Sequence, residues 1–216
     1  AYHRSLAVAA VSLAVLLVGC ASAADKEQAA SVEQRAALRL QLASAYYMQD
    51  QFVVALAEAE QAVRLVPDDA QVRGMRALIF AALRQPVAAE KDFLYALRLA
   101  PHNPELSNNY GLFLCQTGRA AQSLAYFDAA VQDAAYATPE LALHNAAACS
   151  LAMKDYPRAA GYWLKAERIA PGAAITYAGL VRVYYQQQDY RHAAYYLERL
   201  GKVATMESQT ADVLWL

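Results

Sequence analysis

The side chains of this 216-residue chain that could do covalent or coordination chemistry are few: Cys20, Cys115 and Cys149, with His3, His102, His144 and His192. A metal centre or a nucleophile–base pair needs such groups to converge. His144 and Cys149 form the nearest candidate, but they stand five residues apart, where a helix face would want a spacing of four, and no third ligand is in sight. The chain has no glycine-rich phosphate loop, no His-Glu-x-x-His pair and no serine-centred elbow. Nothing in these residues supports an enzyme, a cofactor, a metal or a small-molecule substrate. The formal net charge is −1, so there is no basic excess to recruit nucleic acid and no polybasic run for anionic lipid.

Cys20 differs from the other two cysteines in its setting. One cation, Arg4, precedes a low-polarity run from Leu6 to Val18, and the run ends in Leu17-Val18-Gly19-Cys20. A basic start, a short apolar core and a small-residue exit describe a bacterial signal peptide, and the run is shorter than the roughly 20 residues a membrane span requires. Leu-Val-Gly-Cys resembles the lipobox of bacterial lipoproteins. That resemblance implies a thioether-linked diacylglycerol on Cys20, cleavage before it and acylation of the new amino terminus, so residues 1–19 are read as signal peptide. Three acyl chains give stable anchoring. Ala21 stands where an aspartate would signal retention in the inner membrane, so the expected site is the outer membrane, on its periplasmic face. Residues 20–35 carry no large apolar periodicity and are read as the lipidated cysteine and its tether.

Beyond the tether a period sets the architecture. Pro67, Pro101 and Pro171 each close a similarly worded run: Ala62-Val63-Arg64-Leu65-Val66, Ala96-Leu97-Arg98-Leu99-Ala100 and Ala166-Glu167-Arg168-Ile169-Ala170. The first spacing is 34 residues and the second is 70, two such periods plus an insertion of two. A 34-residue helix–turn–helix period is the tetratricopeptide signature, and proline ends each second helix because it lacks an N–H and clashes with the preceding turn. The expected fold is an all-α superhelical solenoid with repeats at 36–69, 70–103, 104–139, 140–173 and 174–207, followed by a partial helix or cap at 208–216. Small residues recur where helices must touch. Position 8 holds Ala43, Ala77, Gly111, Ala147 and, less well, Val181; position 20 holds Ala55, Ala89, Ser123, Ala159 and Ala193; position 27 holds Ala62, Ala96, Ala130, Ala166 and Leu200. Bulky position 24 holds Phe93, Phe127, Trp163 and Leu197 after Ala59.

In this register the first-helix positions that usually line the concave face give a mostly apolar groove with sparse charge. The candidate partner-binding residues are Tyr47, Leu78, Asn108, Asn109, Leu112, His144, Asn145, Leu151 and Tyr185, with Ile175 and Arg182 beside them. Asn109 and Asn145 share repeat position 6, where an amide can bond the backbone of an extended ligand or, equally, a neighbouring helix. The second helices offer the alternative surface, with Phe127 and Tyr162 foremost. Cys115 and Cys149 lie on the first helices of repeats 3 and 4. They are expected as buried small hydrophobes, although an oxidising compartment would permit a disulfide.

Repeat 3 carries a more specific wording, Leu106-Ser107-Asn108-Asn109-Tyr110-Gly111-Leu112-Phe113-Leu114-Cys115-Gln116-Thr117-Gly118, and Gln132 to Tyr136 lengthen the link to the next repeat. These segments, with the lipobox, resemble the PilF/PilW family of tetratricopeptide lipoproteins of type IV pilus biogenesis, often called pilotins. By position the resemblance falls on Asn108, Asn109, Tyr110, Gly111 and Phe113. It implies a non-enzymatic outer-membrane lipoprotein that binds a secretin subunit of the pilus machinery and promotes its localisation and multimerisation. The alternative is a similar lipoprotein adaptor of another envelope machine, such as a tight-adherence pilus, β-barrel assembly or a periplasmic protease.

Overall fold

The computed structural model describes Gln28 and residues 30–208, with side chains as far as Val203. The signal peptide, Cys20, most of the tether and the tail at 209–216 lie outside the described residues. Ten helices and no strands are described: α1 (residues 30–48), α2 (Phe52–Leu65), α3 (Ala70–Ala82), α4 (Pro86–Leu99), α5 (Pro104–Gln116), α6 (Ala120–Gln132), α7 (Pro139–Ala152), α8 (Tyr156–Ile169), α9 (Ala174–Gln186) and α10 (Tyr190–Ser208). They pair as five helix–turn–helix repeats, and α3, α5 and α9 begin at the first residue of the repeats the prolines define. Two differences stand at the N-terminal and C-terminal ends. Helix α1 is already helical at residue 30, within the segment read as tether, and α10 runs unbroken to Ser208. The tether's alanines and glutamine favour helix once a partner helix lies alongside, and Ala36 is buried.

Each three-residue turn within a repeat is made the same way. Its middle residue is left-handed: Asp50, Arg84, Gly118, Lys154 and Gln188, with φ between 57° and 84°. The next amide donates five residues back, as in Arg119 N–H to the Leu114 carbonyl at 2.8 Å and Asp155 N–H to the Ser150 carbonyl at 2.9 Å. This Schellman closure satisfies carbonyls the helix would leave open. It favours glycine, yet only Gly118 is one. Links between repeats are four residues long, except residues 133–138 between α6 and α7. That link holds the two-residue insertion, and Tyr136 pins it by burying its ring in the core. Prolines also start helices, at the first position of α4, α5 and α7, where no N–H is needed.

The helices fall into two compact units, one ending at Asp92 and one beginning at Phe93. The small repeat positions are tightly packed in each: Ala43, Ala55, Ala62, Ala77 and Ala89 in the first, and Ala96, Ala130, Ala147, Ala159 and Ala166 in the second, are wholly buried. Gly111 shows why. A Cβ built there would lie 2.8 Å from the Phe127 ring, closer than van der Waals packing allows. In the second unit the first helices of successive repeats touch directly, α5 with α7 and α7 with α9. The bulky position works as expected at Phe93, Phe127 and Trp163, all buried, whereas Leu197 is 57% exposed on α10.

A candidate partner-binding groove between two first helices

In the second unit a trough of about 680 Å³ opens between α7 and α9. Its walls come from one face of each helix: His144, Ala148, Leu151 and Ala152 on α7, and Ile175, Ala178, Arg182 and Gln186 on α9. These spacings of three and four residues place the side chains in a row. The floor is Gly179 against Trp163. A Cβ at Gly179 would collide with the indole, so the floor stays bare of side chain at the repeat position where Asn109 and Asn145 stand in the two preceding repeats. Ile175 is 62% exposed, an isoleucine that packing does not claim. Lys154, in the turn after α7, and Arg182, in the C-terminal half of α9, are exposed, and no carboxylate lines the trough.

His144 crosses from α7 to α9. One ring nitrogen lies 2.9 Å from the Thr176 hydroxyl, and burial holds its pKa below the ordinary histidine value while Glu140 pulls the other way. At neutral pH it is therefore a neutral hydrogen-bonding wall of the groove. Among the described residues no group of three metal-ligating side chains exists, and Cys149 is engaged elsewhere, so the His144–Cys149 pair is closed to coordination.

That engagement corrects the expectation for the cysteines. Cys115 on α5 and Cys149 on α7 form a disulfide, with their Cα atoms 6.0 Å apart. Both occupy turns of neighbouring first helices, and the two-residue insertion places them at different repeat positions (12 and 10), which hides their proximity from the period. Asn108 is corrected too. It is 3% exposed, and its amide oxygen accepts a 2.9 Å bond from Asn145, while its NH₂ faces the Asn109 oxygen at 3.4 Å. The amides of repeats 3 and 4 thus bind helix to helix, leaving Asn109 and Asn145 half-buried and Asn108 out of reach of a ligand. The alternative surface fails at its chosen residues. Phe127 is wholly buried, and Tyr162 is 6% exposed with its hydroxyl donating to Asp128 at 3.0 Å.

Of the remaining candidates, Leu112 is half-buried against the core, and Leu151 is in the trough wall. Tyr185 is 61% exposed and meets Tyr190 edge-on. Tyr47 and Leu78 belong to the first unit, where both are half-buried and Tyr47 packs against Phe52 at 5.5 Å between ring centres. The sequence reading passed over Lys154, Gly179, Ala148, Ala152 and Ala178. The signal was there in principle, since alanine at both 148 and 152 and a small pair at 178–179 thin two facing helix surfaces at helical spacing.

Repeated helix pairs closed by Schellman turns, small residues at the crossings and a trough between first helices define a tetratricopeptide-repeat protein, and that family matches at residues 40–104 and 75–138. Type IV pilus assembly protein PilF of Pseudomonas aeruginosa strain PAO1 is 27% identical over 192 residues, spanning 86% of this chain and 75% of that protein. The crystal structure of PilW, a widely conserved type IV pilus biogenesis factor, agrees with a TM-score of 0.73 at 29% identity, over 80% of this chain and 79% of that one. The fold is likewise that of Pseudomonas aeruginosa PilF, at a TM-score of 0.74 and 22% identity over 80% of this chain and 78% of that one. The chain has the tetratricopeptide-repeat fold and is similar in sequence and structure to PilF and PilW.

Proposed function

We propose that the chain acts in type IV pilus biogenesis by binding a secretin subunit through its tetratricopeptide surface and promoting that subunit's assembly in the outer membrane. The observation that carries this reading is kinship to PilF and PilW along four-fifths of the chain, joined to an open, mostly apolar trough that the fold itself leaves unfilled. The mechanism is physical and needs no reacting group. The trough covers apolar surface on the subunit, and a lipid on Cys20 holds the complex at the periplasmic face of the outer membrane. Tethering raises the local subunit concentration as any short linker does.

Two experiments test it. Labelled palmitate should enter the wild-type chain and not Cys20→Ala, which should leave the outer-membrane fraction and carry the secretin with it. Leu151→Glu places a charge on the trough wall whose desolvation opposes binding. Heat-resistant secretin multimers and surface pili should fall while the circular dichroism stays helical. Normal multimers in both variants, at wild-type abundance, would remove the basis of the proposal. Retention of a different envelope complex by the wild-type chain would transfer it to another machine.

A further inference from the structure

We infer that the α7–α9 trough takes an internal, extended protein segment in which a bulky apolar side chain is followed closely by an acidic one. The inference rests on the reading of this trough as the partner-binding surface and names what it recognises. Three observations carry it. The first is polarity along the groove. Toward the start of α9 the lining is apolar, with Ile175 and a neutral His144, and its cations come later in both elements, Arg182 in the C-terminal half of α9 and Lys154 just past the end of α7. These two cations have no ion-pair partner among the described residues, and the chain as a whole is slightly acidic. A positive end on an apolar trough complements a ligand carboxylate and repels basic segments.

The second observation is length. The lining runs from Ile175 to Gln186, a rise of about 16 Å at 1.5 Å per residue, which matches roughly five residues of extended chain. A trough of that length accepts a segment passing through it, and two cations spread over two elements suit a side-chain carboxylate more than they form a closed cage for a chain end. The third is the pit. Bare Gly179 lets the Trp163 indole lie against α9 as the floor, since a Cβ there would overlap the ring, and Ala148, Ala152 and Ala178 keep the lining above it small. An aromatic or large aliphatic side chain is the anchor that such a pocket favours.

The test uses the detergent-solubilised full chain and a phage-displayed library of random nine-residue peptides. Panning should enrich segments with Asp or Glu within three residues of Trp, Phe, Leu or Met. Remade as synthetic peptides, these should bind at least tenfold more weakly when the acid becomes Asn or Gln, and more weakly to the Arg182→Glu/Lys154→Asp chain, in which aspartate suits the left-handed backbone at 154. Panning on that variant should enrich Lys or Arg at the same place. Apolar winners indifferent to charge, no enrichment at all, or equal binding by a variant of unchanged helicity would each overturn the inference. Secretin capture from membranes is scored separately. If the wild type and the charge-reversed chain retain secretin equally, the ligand class falls and the pilus reading stands. If acidic peptides are enriched and no secretin is retained, the pilus reading falls and the ligand class stands.

Discussion

In the unit that ends at Asp92, the helices are tied by buried charge. The Asp92 carboxylate is 2% exposed and receives Arg76 at 2.5 and 2.9 Å and Arg73 at 3.2 Å, so α4 is clasped by two arginines of α3. Arg39 of α1 reaches Glu58 of α2 at 2.7 Å in the same manner. In the unit that begins at Phe93, neighbouring repeats are joined by the Cys115–Cys149 bond, the Asn145–Asn108 amide pair and the His144–Thr176 bond. Its C-terminal repeat adds a tyrosine stack of Tyr177, Tyr184 and Tyr196. The first unit's helices are thus tied by ion pairs, whereas around the trough of the second unit the links between repeats are neutral or covalent, and its ion pair between repeats, Arg199 of α10 to Glu167 of α8 at 3.4 Å, involves no residue of the trough lining. The neutral links His144–Thr176 and Asn145–Asn108 leave Lys154 and Arg182 as the charged side chains of the trough lining.

The largest effect should come from the buried carboxylate. Asp92→Ala leaves two largely buried guanidinium groups without their shared partner, and breaking such a cluster costs about 3–5 kcal/mol. Calorimetry should show the loss, and hydrogen exchange should confine it to α3 and the start of α4. Repeat arrays couple neighbour to neighbour, so a loss spread evenly as far as α9 would show that the two units are not separate in stability.

Much of this was legible in the chain and some was not, for identifiable reasons. Prolines and small residues announce helix ends and crossings because both act through backbone sterics, which depend on position alone. That is why Gly111 and Ala147 stand where the period puts them, and why the inserted link before Pro139 shows as two extra residues. The disulfide depends on where an insertion slides one helix against another, and no one-dimensional rule carries that offset. Asn108 looks like groove and lies buried because its occupant is the amide of Asn145, a partner 37 residues away. Phe127 packs on Gly111 of its own repeat and the Tyr162 hydroxyl reaches Asp128 of the repeat before, so neither is open to a partner. The trough itself depends on what is missing at Gly179, and a missing side chain leaves little pattern.

The next test sharpens the covalent side of the comparison. The Cys115–Cys149 bond closes a segment with a sequence separation of 34 residues, and chain-entropy reasoning assigns about 3–4 kcal/mol to a loop of that length. Reduction, or Cys115→Ala/Cys149→Ala, should lower the thermal midpoint of the second unit and leave the first where it was. Equal shifts in both units, or none, would contradict a local staple.

Gly111→Leu should have a smaller effect, about 1–3 kcal/mol, typical of overpacking. Its first new atom already meets the Phe127 ring at 2.8 Å. Phe127→Leu in the same chain should recover part of the loss, since it removes the atoms in the way. A double mutant no better than the sum of its parts would mean that the clash is relieved by backbone movement instead.

The smallest effect is a slope rather than a midpoint. Burial keeps His144 neutral in the folded chain, below its ordinary pKa, despite the opposing pull of Glu140. Above about pH 6.5, the usual histidine value, folded and unfolded chains are both neutral at this site, and it contributes no pH dependence. As the pH falls through that value, the unfolded chain takes up a proton that the folded chain still refuses. Stability should therefore decline on acidification until the folded value is also passed. The first unit has no described histidine, which makes it the internal reference. Melting of the second unit between pH 7.5 and 5 should fall faster than that of the first, and His144→Gln should remove that excess while keeping a hydrogen-bonding side chain for Thr176. An excess slope that survives His144→Gln would assign it to another group, and the ring would then be an uncharged wall of the trough with no part in its acid response.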